Sequence, residues 1–226
     1  MKIHAIIVAA GTGSRFGGPV PKQFLPLGGI PVVMRAIDAL RQAIPGLSDT
    51  IVLSAEEVDR WHNLCLQYSF RSPTVAHGGA TRFHSVRNAL AVAPADADVI
   101  MVHDGARPFP AHETIVQLIE AMRSGDSGAI PAVAVTDSLR ILLPNGASAA
   151  VDRSKYRAVQ TPQAFPANLL HQAYAQADDS VAFTDDASVM EAAGHRITLV
   201  EGTPSNIKIT NPHDIARAEA SLPTHK

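Results

Sequence analysis

A chain of 226 residues with 46% hydrophobic side chains can bury a sizeable core, which argues against a disordered protein. Nineteen basic residues against 21 acidic ones leave a formal charge of -2, so no general attraction draws nucleic acid or a membrane surface, and an anion must be held by locally placed Arg and Lys. The single cysteine, Cys65, excludes an intrachain disulfide and suits a reducing cytoplasm, and no apolar run reaches the roughly 18 residues of a membrane span.

Residues 3–10 read as a buried strand and not as a secretory segment, because Gly11-Thr12-Gly13-Ser14-Arg15 follows at once. A helix is predicted over 31–44 with Pro31 in its first turn, then a strand over 50–54 and helices over 56–68 and 81–91. The strand at 98–103 carries a Val-Ile-Met-Val run that suits burial on both faces. A helix at 112–123 and a strand at 128–135 follow. This alternation predicts an α/β fold: a Rossmann-like, mainly parallel twisted sheet with helices on both faces. Ligands of such sheets bind beyond the carboxyl ends of the strands, which directs attention to the residues after Ala10, Gly78 and His103.

The pattern breaks at 136–160. Segments 139–143 and 149–152, joined by Pro144-Asn145-Gly146, predict a β-hairpin. It is too thin to hold a core and is expected to protrude as an arm, inserted at about residues 137–160 of a single domain covering 1–226, and to pack on a second subunit or on its own domain. Helices at 167–177 and 185–193, a strand at 197–200, the segment 206–209 and a helix from Pro212 complete the chain.

The glycine loop after the first strand lets backbone approach a ligand and lets N–H groups cradle phosphate. It is not a P-loop, because Gly18 is followed by Pro19 where a Lys is required. Nor does it match a dinucleotide fingerprint: Phe16 stands at the third glycine, and Pro19, Pro21 and Pro26 forbid a regular helix. What remains is a long loop with two cations, Arg15 and Lys22, suited to fold over a triphosphate and to stabilise the charge that builds up in displacement at phosphorus.

Ala9-Ala10-Gly11-Thr12-Gly13-Ser14-Arg15 followed by Pro21-Lys22-Gln23 resembles the signature of sugar-phosphate nucleotidyltransferases. With His103-Asp104-Gly105-Ala106-Arg107-Pro108, Val151-Asp152-Arg153, Thr161-Pro162-Gln163, Thr184-Asp185-Asp186 and Asn206-Ile207-Lys208, the order closely resembles the 2-C-methyl-D-erythritol 4-phosphate cytidylyltransferase family over residues 3–219. The resemblance implies transfer of CMP from CTP to an alditol phosphate, 2-C-methyl-D-erythritol 4-phosphate, with release of pyrophosphate, in the non-mevalonate route to isoprenoids. It implies that Arg15 and Lys22 hold the triphosphate, and that Ala9, Ala10, Gly11, Gly79 and Ser85 line the cytidine site. Asp104, shared by the nucleotide and acceptor sites, would take a hydroxyl and Arg107 a phosphate; Arg153 and Lys208 would grip and aim the acceptor phosphate, with Thr161, Thr184 and Ser138 as further donors. Mg²⁺ is expected through the CTP phosphates, with no protein ligand assigned, and Ser138 and Arg153 on the hairpin imply a homodimer whose arms complete each other's sites. Val8, Ala80 and Gly105 depart from the family's usual residues on the cytidine side. Two alternatives stay open: a ribitol-5-phosphate cytidylyltransferase, and a non-catalytic nucleotide-binding regulator on the same fold.

Overall fold

The structure is a computed structural model and describes residues 1–11, 20–144 and 146–222. In chain order its elements begin with β1 (Ile3–Val8), the short pair β2 (Pro26–Leu27) and β3 (Ile30–Pro31), α1 (Val32–Ala43), β4 (Ser48–Leu53), α2 (Val58–Gln67), β5 (Thr74–His77), α3 (Arg82–Leu90) and β6 (Val99–Asp104). There follow α4 (His112–Arg123), β7 (Ala129–Ala134), β8 (Arg140–Leu142), β9 (Ser148–Ala150), β10 (Arg157–Val159), β11 (Gln163–Pro166), α5 (Ala167–Gln176), α6 (Asp186–Ala192), β12 (Thr198–Glu201) and α7 (Pro212–Ala220).

An eight-stranded sheet organises the molecule. β6, β1, β4 and β5 run parallel side by side, with Ile6 facing Val102 on one neighbour and Thr50 on the other. β11 returns antiparallel between β6 and β7. At β7, Ala132 faces both Val159 of antiparallel β10 and Glu201 of parallel β12, so those strands flank it. The sheet is therefore mainly parallel, as the alternation predicts.

Strand periodicity divides the core into two layers. Ala5 and Ile7 face Val33, Ile37 and Leu40 of α1, Trp61 of α2, and Ile115 and Leu118 of α4. Ile6 turns the other way, into the layer of Phe83 and Val86 of α3, Leu170 and Tyr174 of α5, and Met190 of α6. All six residues of β6 are buried, which agrees with its uninterrupted apolar run. A third small cluster joins Leu27, Val32, Ile209 and Ala218.

Several expectations shift. Ala9 and Ala10 leave β1 and open the loop, Pro31 sits one residue before the first helical turn of α1, and a 3₁₀ turn at Ala55–Glu57 precedes α2. The sequence reading missed β2, β3, β5, β10 and β11. The hairpin forms as β8 against β9, pairs among the described residues with no strand of the large sheet, and leaves Ile141, Leu142 and Leu143 exposed. No helix among the described residues is long and apolar enough to cross a membrane.

Candidate active site

A cavity of about 500 Å³ opens beyond the carboxyl ends of β1 and β6. Its walls include Ala9, Ala10, Gly11, Lys22, Gly79 and Ser85. The start of the glycine loop is fixed from inside: buried Gln23 donates its amide to the carbonyls of Ala9 at 2.7 Å and Gly11 at 3.2 Å. Ser85 donates to the Thr81 carbonyl at 2.9 Å and accepts the Gly79 N–H at 3.1 Å, so its hydroxyl shapes the wall. Close backbone approach explains two glycines. A Cβ on Gly78 would stand 2.5 Å from Ala10 Cβ, and one on Gly105 would stand 3.1 Å from Val33 Cγ2 and 3.2 Å from Ala9 Cβ. The Gly105 departure thus sits in a gap with little spare room.

A second cavity of about 270 Å³ adjoins the first, and Arg107, Thr161, Gln163 and Thr184 line it. The two share Arg82, Asp104 and Lys208. Asp104, at the end of β6, lies 2.7 Å from Lys208 Nζ and 3.6 Å from both Arg82 Nε and Arg107 Nε. Burial alone would raise its carboxyl, but the charges of Arg82, Lys208 and Arg107 outweigh burial and hold it well below the usual carboxylate range. Burial pushes the Arg107 guanidinium down, opposed by Asp104, and Arg107 also donates to the Asn206 carbonyl at 2.8 Å.

Behind Asp104 lies an imidazole with both nitrogens occupied. His103, fully buried, has Nε2 2.9 Å from the Arg107 carbonyl and Nδ1 3.0 Å from Thr161 Oγ1. The carbonyl can only accept, so Nε2 carries the proton and Nδ1 accepts the Thr161 hydroxyl. That hydroxyl also accepts the Asp104 N–H at 3.0 Å. Burial lowers the imidazole to about 4, so it is neutral near pH 7. Asn206 donates to the Thr161 carbonyl at 2.9 Å, and Gln160 donates to the Thr203 carbonyl at 2.8 Å, which fixes the segment bearing Lys208.

Of the residues singled out in the sequence, Ala9, Ala10, Gly11, Lys22, Gly79, Ser85, Asp104 and Lys208 meet at the first cavity, and Arg107, Thr161 and Thr184 at the second. Asp185 caps α6 and accepts from Gln163 at 2.8 Å. Ser138 and Arg153 lie exposed on the hairpin strands' flanks, away from both cavities of this chain, and Arg153 donates to the Thr136 carbonyl. Arg15 lies outside the described residues.

Sequence reasoning missed Arg82. It opens α3 directly after the N-cap Thr81, and its Nη2 lies 2.7 Å from the fully buried carboxylate of Asp186. A signal was available: a cation in the first turn of a helix opposes the helix dipole and calls for nearby carboxylates. Burial works against the Arg82 charge, but Asp186 and Asp104 raise its pKa and keep it cationic.

Among the described residues no group of three or more His, Cys, Asp or Glu could hold a metal ion. Asp104 is the one carboxylate on the first cavity among them, and Lys208 already pairs with it. A hard cation entering on nucleotide phosphates is compatible with this donor set.

The model of the family "2-C-methyl-D-erythritol 4-phosphate cytidylyltransferase" matches residues 3–224. Proteins described by that name from Phocaeicola vulgatus and Bacteroides thetaiotaomicron are 44% and 46% identical over 223 residues, in each case 98% of this chain and 100% of the relative. A crystal structure described as 4-diphosphocytidyl-2C-methyl-D-erythritol synthase from Anaerococcus prevotii superposes with a TM-score of 0.81 at 25% identity, covering 97% of this chain and 95% of the other. A match along nearly the whole length, on a mainly parallel sheet with two adjoining cavities that share Arg82 and Lys208, places this chain in the 2-C-methyl-D-erythritol 4-phosphate cytidylyltransferase family.

Proposed function

We propose that the chain transfers CMP from CTP to 2-C-methyl-D-erythritol 4-phosphate, forming 4-diphosphocytidyl-2-C-methyl-D-erythritol and pyrophosphate for isoprenoid precursor synthesis. One observation carries the reading: two cavities adjoin and share the cations Arg82 and Lys208 with the carboxylate Asp104 between them. Two anionic reactants can meet there only if fixed positive charge offsets their repulsion. The first cavity, with its small residues and Lys22, takes CTP; the second takes the alditol phosphate.

Lys208 draws the acceptor phosphate to the junction, and Asp104 orients it by accepting a hydroxyl of the alditol. An acceptor phosphate oxygen then forms a bond to the α-phosphorus as the bond from that phosphorus to the β-phosphate oxygen breaks. Lys22 and Arg15 balance charge on the leaving pyrophosphate and on the non-bridging oxygens. A phosphate monoester is already anionic near neutral pH, so no side chain has to remove a proton. His103, neutral and bonded at both nitrogens, is a structural group and not a base. Bound with the nucleotide, Mg²⁺ would neutralise charge on the triphosphate.

Ser138 and Arg153 enter through the arm of a second subunit in a homodimer. The exposed apolar side chains of Ile141, Leu142 and Leu143 support that pairing, because a thin hairpin gains stability by covering them. Cytoplasmic residence suits the single free thiol of Cys65. The test supplies CTP and Mg²⁺ with 2-C-methyl-D-erythritol 4-phosphate or ribitol 5-phosphate and measures pyrophosphate. Release with the first compound is expected; preference for the second assigns the ribitol reading, and release with neither removes the enzymatic one.

A further inference from the structure

We infer that Arg82 is a positioning residue that ties the two substrate cavities together, holding Asp104 at their junction and the α6 edge in the acceptor-facing wall with one guanidinium. The inference rests on the two-substrate reading above, in which Arg82 is one of the shared cations, and assigns that residue a positioning role. Arg82 lines both cavities. Its Nε lies 3.6 Å from Asp104 Oδ1 and its Nη2 2.7 Å from Asp186 Oδ2. Asp186 is fully buried and its other oxygen accepts the Tyr174 hydroxyl at 2.7 Å. Gln163 on β11 receives the N–H groups of Asp186 and Ala187 on one amide oxygen, each at 3.1 Å, and donates to Asp185. The start of α6, and with it Thr184 on the second cavity, is thereby bolted to the sheet through Gln163 and to α3 through Arg82.

The planar guanidinium donates a directed bond to Asp186 through one nitrogen while a second nitrogen stands in ion-pair range of Asp104, whereas an ammonium is a point charge that cannot serve both places at once. If Arg82 served Asp186 alone, removing both charges together would repair the damage. If it also sets Asp104, the loss at Asp104 persists after that repair. The groups facing Asp104 are Arg82 from α3, Arg107 and Lys208 from the loops, and neutral His103 and the Thr161 hydroxyl behind it.

The decisive variants are Arg82→Met with Asp186→Asn, and separately Arg82→Lys. The double variant is expected to melt within about 5 °C of the wild type, because no buried charge is left unpaired. It should nonetheless show an acceptor KM raised about tenfold or more, with a smaller change in the KM for CTP. The acid limb of kcat/KM for the acceptor should move to higher pH, since a carboxyl that loses one of three cations takes up its proton more readily. Arg82→Lys should keep the fold and recover only part of the acceptor KM. Wild-type acceptor KM and pH limb in the double variant, or full recovery by Lys, overturn the inference. If the double variant does not fold, Arg82→Lys alone decides, with an unchanged acceptor KM as the overturning result. A wild-type protein that releases no pyrophosphate from CTP and either alditol phosphate refutes the proposed function instead.

Discussion

His103 makes an acid sensitivity that can be calculated. Its imidazole is buried between the Arg107 carbonyl and the Thr161 hydroxyl, and burial lowers it from the ordinary 6.5 to about 4. The folded state therefore resists a proton that the unfolded chain accepts. The associated stability is present in full above 6.5 and is lost as pH falls towards about 4. Linkage between those two values gives a loss of about 2 kcal/mol on moving from about pH 7.5 to about pH 5. Protonation would also force two donors together at Nδ1, where the Thr161 hydroxyl now donates. His4, buried between Ser48 and Thr50 and lowered to about 4 by burial, should contribute a second loss of the same sign. The assay is urea unfolding of wild type and His103→Gln at both pH values. The variant starts less stable but should lose about 2 kcal/mol less on acidification. Equal losses in the two proteins, or an imidazole signal for His103 titrating near 6.5 in the folded state, refute the reasoning.

Lys22→Ala should lower pyrophosphate release about 10²–10³-fold, the usual effect of losing one transition-state donor; near-normal turnover removes it from the triphosphate site. Among the described residues Lys208→Ala leaves Asp104 with the two guanidinium groups at 3.6 Å, and it should raise the KM for the alditol phosphate well beyond that for CTP, as steady-state kinetics with each substrate varied will show. Gly78→Ala puts a methyl 2.5 Å from Ala10 Cβ and should push that wall into the nucleotide cavity, raising the KM for CTP and costing about 1–3 kcal/mol of stability by thermal melting. Mixing inactive Arg153→Ala with inactive Lys22→Ala and allowing subunits to exchange should restore about a quarter of wild-type activity if arms are shared, since half the dimers are mixed and each has one intact site. No recovery would assign each arm to its own chain.

Long, strongly patterned elements were legible in the sequence because their signal is local. The helix His112–Arg123 has the predicted bounds, and β6 announced itself by four consecutive apolar residues. β10 and β11 were not legible: each has three or four residues, Pro162 lies between them, and their pairing with β7 and β6 comes from partners distant in sequence. β5 has only four residues between Pro73 and Gly78, too few to show a period. At the site, glycine and motif residues fixed the first cavity well. Arg82 stayed hidden because the carboxylate that explains it, Asp186, follows 104 positions later. Ser138 and Arg153 point the other way: the family resemblance implies them, but one chain alone does not bring them to either cavity.

The small cluster of Leu27, Val32, Ile209 and Ala218 has a mechanical consequence. Leu27 belongs to the β2–β3 turn that follows Lys22, and Ile209 follows Lys208 and donates its N–H to the Ala106 carbonyl at 2.8 Å. Two lysines from opposite ends of the polypeptide are therefore moored to one greasy knot, and α7 is the strap that keeps it tied. Trimming the C-terminus into α7, or swapping Ala218 for a bulky side chain, should slacken both charges together, though neither change lies within reach of a substrate.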